Sequence, residues 1–208
     1  GTEQFSAYMV SIVGATTFTL KTITEPEFEK TSENLTIVSD KKVGDPVKFQ
    51  LKATLPADLD FSNFTSYTIT FNDTLSGGLT VDSDSIVVKV NGEDAEAAGI
   101  AFNGQELHYT IDNVIGWNGI TVENAPGTVI TIDYTATINN TAITRTGEKN
   151  EATLDYTNNP DGGQGSTPGN TVKVLLAQLV INKVDSSDQP LSGAGFTLYE
   201  YKEGALVN

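Results

Sequence analysis

The sequence predicts an all-β fold, and three observations carry that prediction. Side chains suited to a pleated, half-buried surface dominate, with 28 Thr, 9 Phe and 7 Tyr beside many Val and Ile. Apolar and polar residues alternate with period two over several stretches. Gly (19) and Pro (7) interrupt the chain at short intervals, as turns between short strands require. Windows rich in Ala and Leu at helical spacing are nearly absent.

Taken in chain order, residues 8–20 form an apolar block cut off by Glu25-Pro26, which suggests the tail of an upstream domain. Pro26-Glu-Phe-Glu-Lys30 alternates, with Phe28 and Lys30 on one face. After Gly44-Asp45-Pro46, Val47, Phe49, Leu51 and Ala53 share a face, as do Tyr67, Ile69 and Phe71 further on. Asn-Gly pairs at 91–92, 103–104 and 118–119 read as hairpin turns, since both residues tolerate positive φ. The longest clean strand places Ile130, Ile132, Tyr134, Ala136 and Ile138 opposite Thr131, Asp133, Thr135 and Thr137. Ala152, Leu154 and Tyr156 form another face, and residues 158–169 read as a long loop or linker. Residues 172–184 are strongly apolar, and residues 196–201 read as a further strand.

Charge and composition exclude several functions. Twenty-seven acidic against 12 basic side chains give a formal charge of -15, which repels phosphate backbones and anionic lipid. No apolar run reaches the roughly 18 residues of a membrane span. With no Cys there is no disulfide, thiolate nucleophile or Cys-ligated zinc. His108 has no second His or Cys with which to hold a metal, so neither metal nor cofactor is expected. A hydrolase would need a nucleophile–base pair, and the sequence presents none. Trp117, in Ile115-Gly-Trp-Asn-Gly119, is the aromatic residue to watch for ligand binding.

The informative feature is three polar residues that the alternation turns inward. Lys30 follows Phe28, Asp73 continues the face of Tyr67, Ile69 and Phe71, and Asn150 precedes Ala152, Leu154 and Tyr156. Any one of them could sit at a strand end and reach water. Together they form a set with a chemistry of its own. Burial drives a Lys amine toward its neutral, nucleophilic form and a carboxyl toward its protonated form. An amine held against an amide carbon beside such an acid can form an isopeptide bond and release ammonia.

These stretches occur in a recognisable order: Pro26-x-Phe-x-Lys30, Val43-Gly-Asp45, Phe71-Asn-Asp-Thr-Leu75, Gly78-Leu-Thr80, Asn150-x-Ala-x-Leu-x-Tyr156 and Asn159-Pro160. That series resembles the middle domain of Gram-positive sortase-assembled pilus backbone subunits. The resemblance implies an immunoglobulin-like, Cna A-type β-sandwich over residues 26–172. It further implies Lys30 as nucleophile, Asn150 as acceptor and Asp73 as the assisting carboxyl of a Lys–Asn isopeptide bond between the first and last strands. Leu179-Val-Ile-Asn-Lys183-Val-Asp with Pro190-Leu-Ser-Gly-Ala-Gly-Phe-Thr-Leu198-Tyr resembles the opening of a Cna B-type domain, here incomplete over residues 173–208. Lys183, facing inward with Leu179 and Ile181, would be its crosslinking lysine. Lys21, within the N-terminal segment 1–25, stands where the family carries its intersubunit lysine, although its flanks Thr19-Leu20 and Thr22 do not match. The expected function is therefore a structural, cell-wall-attached, extracellular pilus subunit joined by sortase to neighbouring pilins, not an enzyme with a substrate. The alternative is a wall-anchored adhesin or tip module that binds a host surface ligand.

Overall fold

The computed structural model describes residues 25–143, 146–177, 181–193, 195–197, 200–202 and 205–207. Two sheets face each other as a β-sandwich. The first contains Glu27–Thr31 (β1), Pro46–Thr54 (β3), Val129–Ile138 (β9), Leu79–Val90 (β5) and Glu93–Asp94 (β6), in that spatial order. The second runs Ile37–Lys41 (β2), Asn170–Leu176 (β12), Glu148–Thr157 (β10), Ile69–Leu75 (β4), Glu106–Ile111 (β8) and Phe102–Asn103 (β7). Gln164–Ser166 (β11) also pairs with β10. The pairings within these sheets are antiparallel except that of β2 with β12. Glu200–Lys202 (β13) and Ala205–Val207 (β14) form a separate hairpin.

Alternation builds this architecture directly. Every second residue of β9 from Ile130 to Ile138 is buried, and β3 buries Val47, Phe49, Leu51 and Ala53 against it. The inner faces of the two sheets interdigitate into two apolar clusters. One gathers around Phe28, Leu51, Phe71, Ile132 and Leu154, the other around Phe49, Leu75, Tyr134 and Val172. Along β4 the inner face reads Ile69, Phe71, Asp73, Leu75, so a buried carboxyl stands where one cluster gives way to the other.

Three expectations change. Residues 158–169 are not a linker: Asn158 and Asn159 close a turn through Gly163, β11 folds back on β10, and β12 then continues along that same edge of β10, opposite β4. Turn-forming residues mark a reversal of the chain, and alternation alone does not say whether the next strand rejoins the same sheet. The sandwich consequently runs to Leu176. Asn91-Gly92 and Asn103-Gly104 do connect antiparallel neighbours. Asn118-Gly119 instead lies in a 3₁₀ turn, where the Asn118 side chain binds both backbone groups of Glu96.

Candidate functional site

Lys30, Asp73 and Asn150 meet between the two sheets. Lys30 comes from β1, paired with Leu51 of β3, and its neighbour Phe28 anchors the strand in the core. Asp73 and Asn150 come from adjacent strands of the opposite sheet, where Asp73 pairs with Ala152 and Asn150 with Leu75. That register places the two side chains on the same inner face, two residues out of step. All three are at most 1% exposed.

The Lys30 amine donates to both oxygens of Asp73, at 2.6 Å each, and to the Tyr134 hydroxyl at 3.3 Å. It also lies 5.4 Å from the ring centre of Phe49 and 5.6 Å from that of Tyr134. Burial lowers the Lys30 pKa from its usual 10.5 to about 8, against the opposing pull of the Asp73 charge and hydrogen bond. Tyr134, from β9, donates to Asp73 Oδ2 at 2.6 Å and accepts from Asn150 Nδ2 at 2.5 Å. Burial, with the adjacent Asp73 carboxylate, holds the Tyr134 hydroxyl well above its ordinary pKa. The Asn150 carbonyl oxygen Oδ1 is buried without a hydrogen-bond partner among the described residues. An amine, a carboxyl and an amide thus share one phenolic hydroxyl, in surroundings where breaking a buried ion pair costs about 3–5 kcal/mol.

The sequence reading missed two members of this region. Tyr134 looked like one more core residue, because an aromatic ring on an apolar face conceals its polar tip. Glu148 was missed because the inner face of β10 was read only from Asn150 onward. Extending the alternation back by two residues finds it. Its carboxylate accepts from Ser76 Oγ, from Gly78 N at 3.0 Å and from Ile143 N at 2.6 Å. A Cβ at Gly78 would run into that carboxylate and into the Ala142 backbone, 2.6 Å away, so only Gly fits. Glu148→Ala orphans these donors and is expected to lower stability by about 3 kcal/mol, seen as a drop in the urea midpoint. Because Glu148 bonds turn residues rather than the Lys30 group, the mass of the purified chain, apart from the substitution, should not change.

The remaining candidates fall elsewhere. Lys183 is exposed, and Ile181 beside it is 50% exposed, so the pair does not form the inward face expected. Around it the described chain makes only a turn, with Leu191 N bonded to Lys183 O and a bridge between Val184 and Pro190. Lys21 lies outside the described residues. His108 is exposed and its Nδ1 is 2.7 Å from Asn72 Oδ1, an ordinary strand histidine. Trp117 is half-buried and packs against the first core cluster.

Comparison with known proteins adds family and fold. The family model described as Gram-positive pilin backbone subunit 2, Cna-B-like domain, matches residues 43–160. That description replaces the expected Cna A-type label for this stretch: alternation fixes which residues face inward and leaves open the strand order that defines a subtype. No curated protein matches the chain. Among solved structures, the pilus backbone RrgB from Streptococcus pneumoniae is similar with a TM-score of 0.54 and 22% identity, over 68% of this chain and 56% of that one. The T6 backbone pilin of serotype M6 Streptococcus pyogenes gives 0.61 and 21%, over 81% and 40%. BcpA, the major pilin subunit of Bacillus cereus, gives 0.58 and 19%, over 78% and 44%. At these identities the likeness is one of fold, and the chain spans less than two thirds of each of these longer chains.

Proposed function

The chain belongs to the Gram-positive pilin backbone subunits, and on that premise we propose that it is a shaft subunit that ties its own sandwich together with an amide bond between Lys30 and Asn150. The observation that supports this is the buried amine–carboxyl–amide group gathered on the Tyr134 hydroxyl. The Lys30 nitrogen attacks Cγ of Asn150, the Cγ–Nδ2 bond breaks, and one ammonia leaves. Folding holds the reactants together, and such effective molarities remove about 7–11 kcal/mol of barrier. The reaction consumes its own residues, so each molecule carries it out once. The family is structural rather than enzymatic.

Assembly follows from the same reading. Sortase joins the subunit to neighbouring pilins on the outer face of a Gram-positive cell wall, with Lys21 as the candidate polymer link. The residues beyond β12 open a second, Cna B-type domain. In that setting a covalent tie between sheets serves a chain without cysteine that must bear tension. The test is a protease digest analysed by mass spectrometry. A branched peptide joining the segments of Lys30 and Asn150 is expected, and recovery of both as separate linear peptides would contradict it.

The pH dependence of the reaction follows from the Lys30 amine. Burial lowers its pKa to about 8, so the neutral, nucleophilic form is the minor one below that pH and the major one above it. The rate should therefore rise about tenfold per pH unit approaching pH 8 from below and level off above it. Timed intact-mass measurements during folding check this, and a rate that is level or falls through pH 8 would contradict control by the amine.

A further inference from the structure

We propose that Tyr134 is a catalytic residue of this reaction, its hydroxyl passing a proton from Asp73 to the nitrogen that leaves Asn150. The proposal rests on the self-crosslinking reading and adds a residue that neither the alternation nor the resemblance singled out. Its basis is connectivity. Asp73 Oδ2 is 2.6 Å from the Tyr134 oxygen, and that oxygen is 2.5 Å from Asn150 Nδ2. The described hydrogen bonds of Asp73 run to Lys30 and Tyr134, so its path to the leaving group passes through the phenol.

The proton balance requires such a path. When Nζ bonds to Cγ it becomes cationic and must lose a proton, while Nδ2 must gain one to leave as ammonia. Asp73 contacts Nζ through both oxygens and takes the first proton. It returns a proton through Oδ2 to Tyr134, which passes its own to Nδ2. The Cγ–Nδ2 electron pair departs with the nitrogen, and the Cγ–Oδ1 double bond re-forms. Nothing is oxidised or reduced.

The direction of the hydrogen bonds changes at the right moment. In the ground state Nδ2 is an amide nitrogen without an available lone pair, and it donates to Tyr134. Once Cγ is tetrahedral, amide resonance is lost and the same nitrogen becomes an acceptor. The raised pKa of Tyr134 keeps the phenolate unpopulated, so the hydroxyl conducts a proton rather than storing charge. The ring itself is fixed by Phe49 and Phe102, with centroids at 5.4 and 4.9 Å.

That packing makes Tyr134→Phe an informative variant, since it keeps the ring and removes the relay. The full 208-residue chain would be made by timed cell-free synthesis and its intact mass followed at pH 7. The parent is expected to lose one ammonia, and folded Tyr134→Phe to lose it about 100-fold more slowly. A parallel chain carrying 3,5-difluorotyrosine at position 134 retains the hydroxyl but makes it more acidic. Its rate should shift from that of the parent, which a hydroxyl serving only in packing would not produce. If Tyr134→Phe fails to fold, the fluorinated chain decides alone. Parent and variants that crosslink at equal rates would overturn the relay and leave the crosslink standing. A parent that never loses ammonia would overturn both.

Discussion

Asn150→Ala is expected to lower the melting temperature by about 10–20 °C and to make the sandwich extensible under load. The substitution removes the acceptor while leaving the Lys30–Asp73 pair intact. Little ordinary bonding is lost with it, because among the described residues the Asn150 side chain gives one hydrogen bond, to Tyr134, and its Oδ1 has no partner. The effect therefore measures the bond. A tie closing a loop of about 120 residues constrains the unfolded chain by about 5 kcal/mol on the chain-entropy account. Calorimetry reads the thermal shift. A pulling experiment reads the mechanical one, since the chain between the tied residues, fully extended, would add about 400 Å in the variant and nothing in the parent. Equal melting temperatures and equal extensions would remove any role for a tie.

The topology sets where such a tie would sit. Asn150 lies on β10, which is flanked by β4 and β12, so the proposed bond would join the first strand to an interior strand rather than to the last. Residues 30–150 would fall inside the closed loop, and β11 and β12 outside it. Under tension β12 would then be held by hydrogen bonds and packing alone.

Asp73→Ala is expected to stop ammonia loss almost completely, by about 100- to 10,000-fold in rate. The amine remains buried and more readily neutral than before, since the carboxylate that favoured its charge is gone. A good nucleophile would then face an intact amide without reacting, which isolates the proton-transfer role of Asp73. Ala is the informative replacement, because Asp73→Asn would present a second amide to the same amine. Folding is monitored by the near-ultraviolet signal of Tyr67 and Tyr134, both buried among other rings. A folded Asp73→Ala chain that crosslinks at the parent rate would show that the carboxyl serves only to pair with Lys30.

Much of this site was legible because strand periodicity is a geometric constraint. A residue two positions from Phe28, Phe71 or Ala152 must face the same way, and that placed Lys30, Asp73 and Asn150 inside before any fold was known. The same constraint says nothing about which strands are neighbours. It therefore could not reveal that β12 returns to β10, nor distinguish one sandwich subtype from another. Tyr134 was hidden because its ring obeys the apolar pattern while its hydroxyl does not. Lys183 shows the converse failure: alternation assigns it a face, but a face becomes an interior only when a second layer covers it.

The most direct test of the account is the intact mass of the purified chain beside that of Lys30→Ala. The parent should be lighter than its sequence mass by one ammonia, and the variant should match its sequence mass. A parent that carries its full sequence mass would contradict the crosslink and leave Lys30, Asp73 and Asn150 as a buried polar cluster of the core.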